Sequence, residues 1–268
     1  MRSSTILAAG LLAASVCVSS AFAQTPPAAP PIKVEKSGVG PKSKAEAEAV
    51  RALMQAQAPD EQIAAAEALL SKFADTDYKG FALELEAEDY QRKGDNAKAI
   101  FFAEQSLGAD SKNYDADNLL ASIYASMTKE KDLDSIKADN LGKVDKYAHD
   151  SLAALDGGRP AIYAKVSDDQ WNKIKASATS QAWQALGMAA QLRNKNDEAA
   201  ADFQKGIDAL PDPLLEIRMG RLMASMKKYD EAIGWDQKVI DSPDAPAPYK
   251  KYAADDKQRF SMTKQSAK

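Results

Sequence analysis

Residues 183–211 read WQALGMAAQLRNKNDEAAADFQKGIDALP, and this stretch decides the fold. Trp183 is followed three and four residues later by Leu186 and Gly187, which places the three on one face of a helix. A glycine on that face lets a second helix approach closely, and the tryptophan supplies volume that fills the space beside it. The first half of the stretch therefore predicts a helix that packs tightly against a neighbour.

The second half of the stretch predicts that neighbour. Ala199 and Phe203 are four residues apart, so they share a face of a second helix, and Pro211 ends it. The Asn-Lys-Asn sequence at 194–196 forms the break between the two helices. Together the two halves predict an antiparallel pair of helices joined by a tight turn.

The alanine that follows the turn recurs along the chain at a regular interval. The interval from Ala199 to Ala232 is nearly the same as the interval from Ala65 or Ala66 to Ala99. Each is about 34 residues, a period typical of a repeated helix-turn-helix unit. The chain thus resembles the tetratricopeptide repeat (TPR) family, whose signature is matched in the best copy by Trp183, Leu186, Gly187, Ala199, Phe203 and Pro211.

The resemblance and the helical periodicity together predict an all-α fold. We expect a right-handed α-solenoid of TPR-like helix-turn-helix repeats, with one elongated helical hairpin and a C-terminal capping helix that covers the open apolar end. The repeat domain is predicted to span 43–265, with repeats at about 43–77, 80–113, 114–160 (extended), 168–213 (extended) and 213–245, and the capping helix at 248–263.

The middle of the chain departs from the repeat. An apolar stripe predicts one long helix at about 133–156, formed by Leu133, Ile136, Leu141, Val144, Ala148, Leu152 and Leu155. Ser167 and Gln170 form a capping box that opens a second long helix, 168–193. We expect the two to protrude as an antiparallel hairpin. The alternative is that 114–179 holds two eroded repeats.

The first 42 residues predict export. Residues 1–23 combine Arg2, an apolar run and the sequence Ala-Phe-Ala, which predicts a secretory signal peptide cut before Gln24. The apolar run is too short to favour a membrane anchor. Cys17, the only cysteine, would make the chain a lipoprotein if it were the first mature residue, but Val16 before it does not favour that interpretation. Residues 24–42 are proline-rich and predict a flexible linker, and the expected location is periplasmic or secreted.

The charge balance narrows the class of partner. The 268 residues include 35 Lys and Arg against 39 Asp and Glu, a net charge of −4, and loss of Arg2 with the signal makes the chain one unit more negative. Positively and negatively charged residues are interspersed along the chain. It has no block of Lys and Arg of the kind that contacts the phosphate backbone of a nucleic acid. We therefore expect protein or peptide partners, no nucleic acid, and no stable membrane span after signal cleavage.

The sequence offers no catalytic constellation. His149 is the only histidine and has no cysteine partner for a zinc site, so we interpret it as a partly exposed helical residue. Carboxylates at 86, 88 and 89 and at 168 and 169 are interpreted as a solvated helix face and a helix start. We predict no catalytic residue, no metal and no cofactor.

The resemblance implies a concave groove lined by the first helix of each repeat. Glu84 and Glu88 would stand where a terminal carboxylate would need basic or amide groups, so we expect neutral or basic partner segments. The groove positions carried over from the family are Phe81, Glu84, Glu88, Gln91, Arg92, Asp115, Asn118, Ser122, Ser126, Gln181, Gln184, Met188, Gln191, Ile217 and Arg221.

These features favour an exported, non-enzymatic TPR adaptor or scaffold that mediates protein–protein interaction in the cell envelope. The alternative is an accessory subunit of a cell-wall or carbohydrate-processing enzyme complex, with the long hairpin as a docking arm. An enzyme in its own right is the third and least supported hypothesis.

Overall fold

The computed structural model describes residues 39–266, and in this range every regular element is helical. The predicted all-α fold class is confirmed. The helices are α1 (Lys44–Gln55), α2 (Pro59–Lys72), α3 (Lys79–Arg92), α4 (Asn96–Ala109), α5 (Tyr114–Met127), α6 (Asp134–Asp156), α7 (Asp168–Leu192), α8 (Asn196–Ala209), α9 (Pro213–Ser225), α10 (Tyr229–Asp241) and α11 (Ala247–Ser266), with a 3₁₀ turn at Ala161–Tyr163.

The helices fall into two compact units. Unit 1 holds the described residues up to Ser111 together with Arg159–Val166, and unit 2 holds Lys112–Gly158 together with the described residues from Ser167 onward. Unit 1 therefore contains α1 to α4, and unit 2 contains α5 to α11.

In unit 1 each helix packs against the next one in sequence. Leu53 and Leu69 are fully buried where α1 and α2 meet, and Ala82 adds the adjoining face of α3. Gly80 lets α3 approach the end of α4 closely, and the Ser106 hydroxyl donates to the Gly80 backbone oxygen at 2.7 Å. The hairpins α1–α2 and α3–α4 thus stack on one apolar core.

In unit 2 three hairpins follow one another: α5–α6, α7–α8 and α9–α10. A core that includes Phe203, Leu215 and Leu222 joins α8 to α9, and Phe260 of α11 packs against it. Helix α11 lies against α9 and α10, with Ala253 buried, as the predicted capping helix requires. Within each unit the packing is that of stacked helical hairpins, the arrangement of an α-solenoid.

The close approach predicted for α7 and α8 is present. A Cβ atom added to Gly187 would lie only 2.3 Å from Cδ1 of Phe203, so no larger residue fits there without movement. Ala199 and Phe203 are fully buried. The two residues therefore do what the sequence pattern predicts: the glycine admits the ring, and the ring fills the interface.

Helices α6 and α7 are long and unbroken, at 23 and 25 residues. The predicted capping box at the start of α7 is present: the Ser167 hydroxyl accepts from the Gln170 backbone, and the Gln170 side chain accepts from the Ser167 backbone at 3.1 Å. With no break in α7, the structure has two long helices here instead of an additional helix pair.

The expectation that these helices protrude is wrong for α6. Helix α6 packs against both α5 and α7 because Leu141, Val144 and Leu155 are buried along its length. The predicted apolar stripe does not continue to its start, where Leu133 is 71% exposed and Ile136 is 50% exposed. The hairpin is therefore part of the packed unit, and at the beginning of α6 even the apolar side chains are open to solvent.

The predicted signal peptide, Cys17 and most of the predicted linker lie outside the described residues. At the end of the linker, the Lys42 ammonium lies 3.4 Å from a carboxylate oxygen of Asp75 and of Asp77. The Lys42 backbone N–H donates to Glu46 at 2.6 Å, so this residue is already held by unit 1. Among the helices of residues 39–266, none has the length and apolar character needed to span a bilayer.

Candidate functional site

The groove positions predicted on α3 of unit 1 are mostly occupied with internal contacts. Phe81 packs against the core beside Leu53, and Glu84 is only 4% exposed. The Glu84 side chain lies close enough to that of Glu88 to affect its pKa through a hydrogen bond. Burial raises the pKa of Glu88, while this hydrogen bond and the charge of Arg92 lower it. Because Glu84 is buried, the α3 surface does not expose the pair of carboxylates that the sequence suggests.

The remaining α3 positions are Gln91, which is half-buried, and Arg92, which is exposed. The Arg92 guanidinium pairs with Asp89 and donates to the Gln62 side chain at 3.0 Å. The interpretation of this acidic stretch as a solvated face is wrong, since Glu86 and Asp89 are buried between α3 and its neighbours. Helix α3 contacts both α2 and α4, which leaves it no broad solvent-facing side.

Three predicted groove positions of unit 2 are not available to a ligand. Asn118 is buried and donates from Nδ2 to the Ala178 backbone oxygen at 3.0 Å. Ile217 is 1% exposed and packs with Val239 against the segment that leads into α11. Arg221 is exposed, but its guanidinium pairs with Asp256 of α11. Asn118 and Ile217 are covered by neighbouring helices, and the charge of Arg221 is engaged by α11.

The other predicted positions of unit 2 keep some solvent access. Asp115, Ser122, Gln181, Gln184 and Met188 are half-buried, and Ser126 and Gln191 are exposed. Ser126, Met188 and Gln191 come together at one cavity. No observation assigns a role to the other four, and they stay predictions: Asp115, Ser122, Gln181 and Gln184.

This cavity, which we call the unit 2 cavity, has a volume of about 570 Å³ and lies where α5, α7 and α9 come together. These are the first helices of three successive hairpins, so the cavity is on the side of the repeats where the family places its groove. Its lining residues are Ala125, Ser126, Thr128, Glu130, Met188, Gln191, Leu192, Asn194, Asn196, Arg218 and Ser225.

Helix ends position the polar part of the lining. Helix α5 ends at Met127, and Thr128 closes it by donating its hydroxyl to the Tyr124 backbone oxygen at 2.7 Å. Helix α7 ends at Leu192, and Asn194 turns the chain with a φ of 60°, a left-handed conformation that asparagine tolerates well. The turn that the sequence marks as a break therefore also presents side-chain amides to the cavity.

Arg218 is the only basic residue of the cavity lining, and it is one of the lining residues that the sequence analysis missed. It lies one position after Ile217, which the resemblance to the repeat family predicts as a groove residue but whose side chain is buried. Nε of Arg218 is buried without a hydrogen-bond partner, and burial lowers the pKa of the guanidinium. The sequence holds one weak signal: the residues three and four positions away are Leu214, Leu215, Arg221 and Leu222, so no acid lies within helical reach.

The residues considered for chemistry have structural roles. His149 is exposed on α6, and its Nδ1 lies 2.7 Å from the Asp145 backbone oxygen, as interpreted from the sequence. Asp168 and Asp169 are exposed in the first turn of α7, where carboxylates suit the helix dipole. Within residues 39–266, no three His, Cys, Asp or Glu side chains are grouped as metal ligands.

Comparison with known proteins gives the fold but no close relative. No protein-family model matches the chain, and no curated protein matches it. The structure is similar to that of a thermophilic TPR protein of Thermus thermophilus, with a TM-score of 0.58 and 14% identity, over 79% of this chain and 98% of the other. The assembly chaperone of RpL4 (Acl4) aligns over 85% of this chain and 99% of its own with a TM-score of 0.38 and 13% identity.

The likeness to the Thermus protein concerns the fold, since the two sequences share few residues. It agrees with the stacked helical hairpins of both units. The chain therefore has a TPR-like helical-repeat fold of the α-solenoid class.

Proposed function

We propose that the protein is an exported, non-enzymatic scaffold that holds a segment of a partner protein in the unit 2 cavity. The observation that carries this proposal is the cavity itself, lined by the first helices of three hairpins and rich in side-chain amides. Its volume lies within the range of ligand-binding clefts. Helical-repeat folds offer such concave surfaces to protein segments.

The partner is proposed to be a protein and the place of action the cell envelope. The predicted signal peptide at 1–23 and linker at 24–42 support export to the periplasm or beyond. The expectation of a neutral or basic partner depends on Glu84 and Glu88 of α3. Because Glu84 is buried and both residues belong to unit 1, we do not extend that expectation to unit 2.

Site-specific photo-crosslinking in living cells tests the binding role. A photoreactive amino acid at Gln191, exposed in the cavity lining, is compared with one at Ala201, exposed on α8 outside the lining. We expect adducts with a defined partner at Gln191 and none at Ala201. Equal adducts at both positions, or no adduct at Gln191, would contradict the proposal.

Export has a separate test that does not depend on binding. The intact mass of the protein recovered from the cell envelope should correspond to a chain that begins at Gln24. Recovery of the full chain from Met1 in the cytoplasmic fraction would contradict export and leave the binding role unaffected.

A further inference from the structure

Arg218 differs from the other arginines of the described chain because it is at once partly buried and unpaired. Arg159 donates to the Val166 backbone oxygen at 3.0 Å, and Arg51 has no ion pair but is exposed on α1 and solvated. Arg92, Arg193, Arg221 and Arg259 each pair with a carboxylate of the described chain.

Keeping Arg218 in the folded chain without a partner is unfavourable. Its Nε is removed from water and receives no acceptor in return. Burial lowers the pKa of Arg218, and the neighbouring charge of Arg221 lowers it further. Arginine side chains keep their charge in proteins, so the guanidinium remains a cation. The folded chain thus carries a cation that an anionic ligand would stabilise.

No carboxylate of the described chain is placed to neutralise Arg218. Asp212 raises the pKa of Arg218 from a distance, but its Oδ1 already accepts the Leu215 backbone N–H at 2.9 Å as the cap of α9. Glu130 lines the same cavity without forming an ion pair, and it is exposed in the loop after α5. Arg218 therefore forms no ion pair within the described chain, and an anionic ligand can act as its counter-ion.

The hydrogen-bond donors of the cavity are its amides and its guanidinium. The hydroxyls of Ser126, Thr128 and Ser225 each donate to a backbone oxygen of the preceding helical turn, at 2.7–2.9 Å, so their protons are engaged. The side-chain amides of Gln191, Asn194 and Asn196, in contrast, form no hydrogen bond within the described residues. These amides can pair with a peptide backbone, since each offers both a donor and an acceptor.

The cavity favours one carboxylate over a more highly charged group. It holds a single unpaired cation, and a guanidinium matches a carboxylate in a two-point hydrogen bond. Glu130 in the same lining repels additional negative charge, which disfavours a phosphate group with its charge near −2. Ala125, Met188 and Leu192 supply apolar surface for the rest of a peptide segment.

We propose that the unit 2 cavity binds the carboxylate of an Asp or Glu side chain within an extended segment of the partner protein, with Arg218 as its counter-ion. This inference rests on the proposed function and specifies the chemistry of the segment that the cavity receives.

Pools of end-blocked peptides of random sequence test it. The pools differ only in a fixed central residue, which is Glu, Gln or phosphoserine, and end-blocking removes the terminal charges. Binding of the purified full mature chain is measured by fluorescence anisotropy. We expect the wild-type chain to bind the Glu pool about 10- to 100-fold more tightly than the Gln pool, the range for a hydrogen bond to a charged group.

Variants assign the preference to Arg218. Arg218→Gln should bind the Glu and Gln pools equally, whereas Arg218→Lys should keep a reduced preference because the charge remains. Arg51→Gln is the matched control, since it removes an exposed, unpaired arginine of unit 1 and should keep the wild-type preference. Glu130→Gln should tighten binding of the Glu pool by about two- to fivefold because it removes a repelling charge.

A stability measurement separates binding from folding. Because the buried guanidinium is unpaired in the free protein, Arg218→Gln should melt at the same temperature as the wild type or higher. A lower melting temperature would contradict the assignment of Arg218 as an unpaired charge.

The outcomes distinguish this inference from the proposed function. Equal binding of the Glu and Gln pools by the wild type would overturn the inference and leave the scaffold role standing. Tighter binding of the phosphoserine pool than of the Glu pool would show that the cavity binds a phosphorylated residue, and would overturn the carboxylate inference. A Glu preference that persists in Arg218→Gln would remove Arg218 from the site, and failure to bind any pool would overturn both proposals.

Discussion

Gly187 and Gly220 mark the same place in two neighbouring hairpins, yet they face different side chains. In α7–α8, Gly187 lies against the ring of Phe203. In α9–α10, Gly220 lies against Asp236, which occupies the position equivalent to Phe203 in the next repeat and is fully buried. The comparison shows that the glycine provides the close approach of two helices, whereas the group that fills the space beside it can be apolar or acidic.

The two hairpins also differ in unsatisfied polar groups. Within residues 39–266, α9–α10 contains three buried side-chain polar atoms without a hydrogen-bond partner, Nε of Arg218 and both carboxyl oxygens of Asp236, and α7–α8 contains none. Natural proteins keep few such atoms, and those that persist mark sites where another requirement outweighs stability. The buried polar atoms of α7–α8 are therefore all satisfied. In α9–α10, the unsatisfied Nε of Arg218, which lines the cavity, lowers the stability of the fold.

The largest expected difference between the hairpins comes from removing the filling side chain. Phe203→Ala leaves a cavity in the core and should lower the free energy of unfolding by about 3–5 kcal/mol. Asp236→Ala should change it by less than about 1 kcal/mol at pH 8, since it also removes an unsatisfied buried acid. Denaturant unfolding followed by tryptophan fluorescence measures both, because all three tryptophans belong to unit 2. Equal losses would contradict the comparison.

Adding a methyl group at the two glycines should have a smaller but still unequal effect. Gly187→Ala places a carbon 2.3 Å from the Phe203 ring and should cost about 1–3 kcal/mol. Gly220→Ala places one 3.3 Å from Asp236 and from the Ala232 backbone oxygen, a tight contact that a shift of a few tenths of an ångström would relieve. Since alanine also favours the helix, we expect Gly220→Ala to be close to neutral. A neutral Gly187→Ala would show that α7 and α8 are farther apart than described.

Asp236 should make the stability of unit 2 depend on pH. Burial, and then the charge of Asp256, raise the pKa of Asp236 to about 7, while nearby cations lower it. Between about pH 4 and pH 7 the unfolded chain releases this proton and the folded chain keeps it, so the free energy of unfolding falls as pH rises. Above pH 7 both states are ionised and the dependence ends. The cations that oppose the shift are Arg221, Arg259 and Lys257.

The Asp236→Asn variant isolates the contribution of Asp236 to the pH dependence of stability. Burial also raises the pKa values of Glu86 and Asp117 to about 7. The free energy of unfolding of the variant should therefore still fall somewhat as pH rises. We expect the loss of unfolding free energy between pH 4 and pH 7 to be about 1–2 kcal/mol smaller in the variant than in the wild type. Identical pH profiles of the two proteins would show that Asp236 ionises normally in the fold.

The smallest expected effect is one in which the two hairpins should agree. Lys205 and Lys238 occupy equivalent positions in the two repeats, and each places its ammonium over a tryptophan ring, at 3.9 Å from the Trp183 centroid and 4.9 Å from that of Trp235. Lys205→Gln and Lys238→Gln should each cost about 0.5–1 kcal/mol. A loss in only one variant would contradict an equal contribution of the two cation–π contacts.

The sequence predicts the elements of this fold well because they depend on local patterns. The contact of Gly187 with Phe203, the capping box at Ser167 and the helix that begins at Ala247 all follow from spacing and residue type. Such features involve residues within one or two helices, where the helical period fixes the face that each side chain occupies.

The candidate site is harder to predict because it depends on which helices cover each other. Family spacing selects Ile217, but α11 and the segment before it cover that position, and the neighbouring Arg218 faces the cavity instead. Glu86 and Asp89 stand among charged residues in the sequence, yet helices on both sides of α3 bury them. The spacing of residues predicts which side chains share a face of a helix. It does not predict how many of those faces the neighbouring helices cover.

Methyl NMR tests most directly whether the unit 2 cavity is where a partner segment binds. In protein labelled at the methionine methyl groups, Met188 reports on the cavity lining, whereas Met54 and Met262 are exposed on α1 and α11. Titration with the glutamate-centred peptide pool should shift the Met188 signal in a saturable way and leave the other two unchanged. A Met188 signal that stays in place while Met54 or Met262 moves would contradict binding at this cavity.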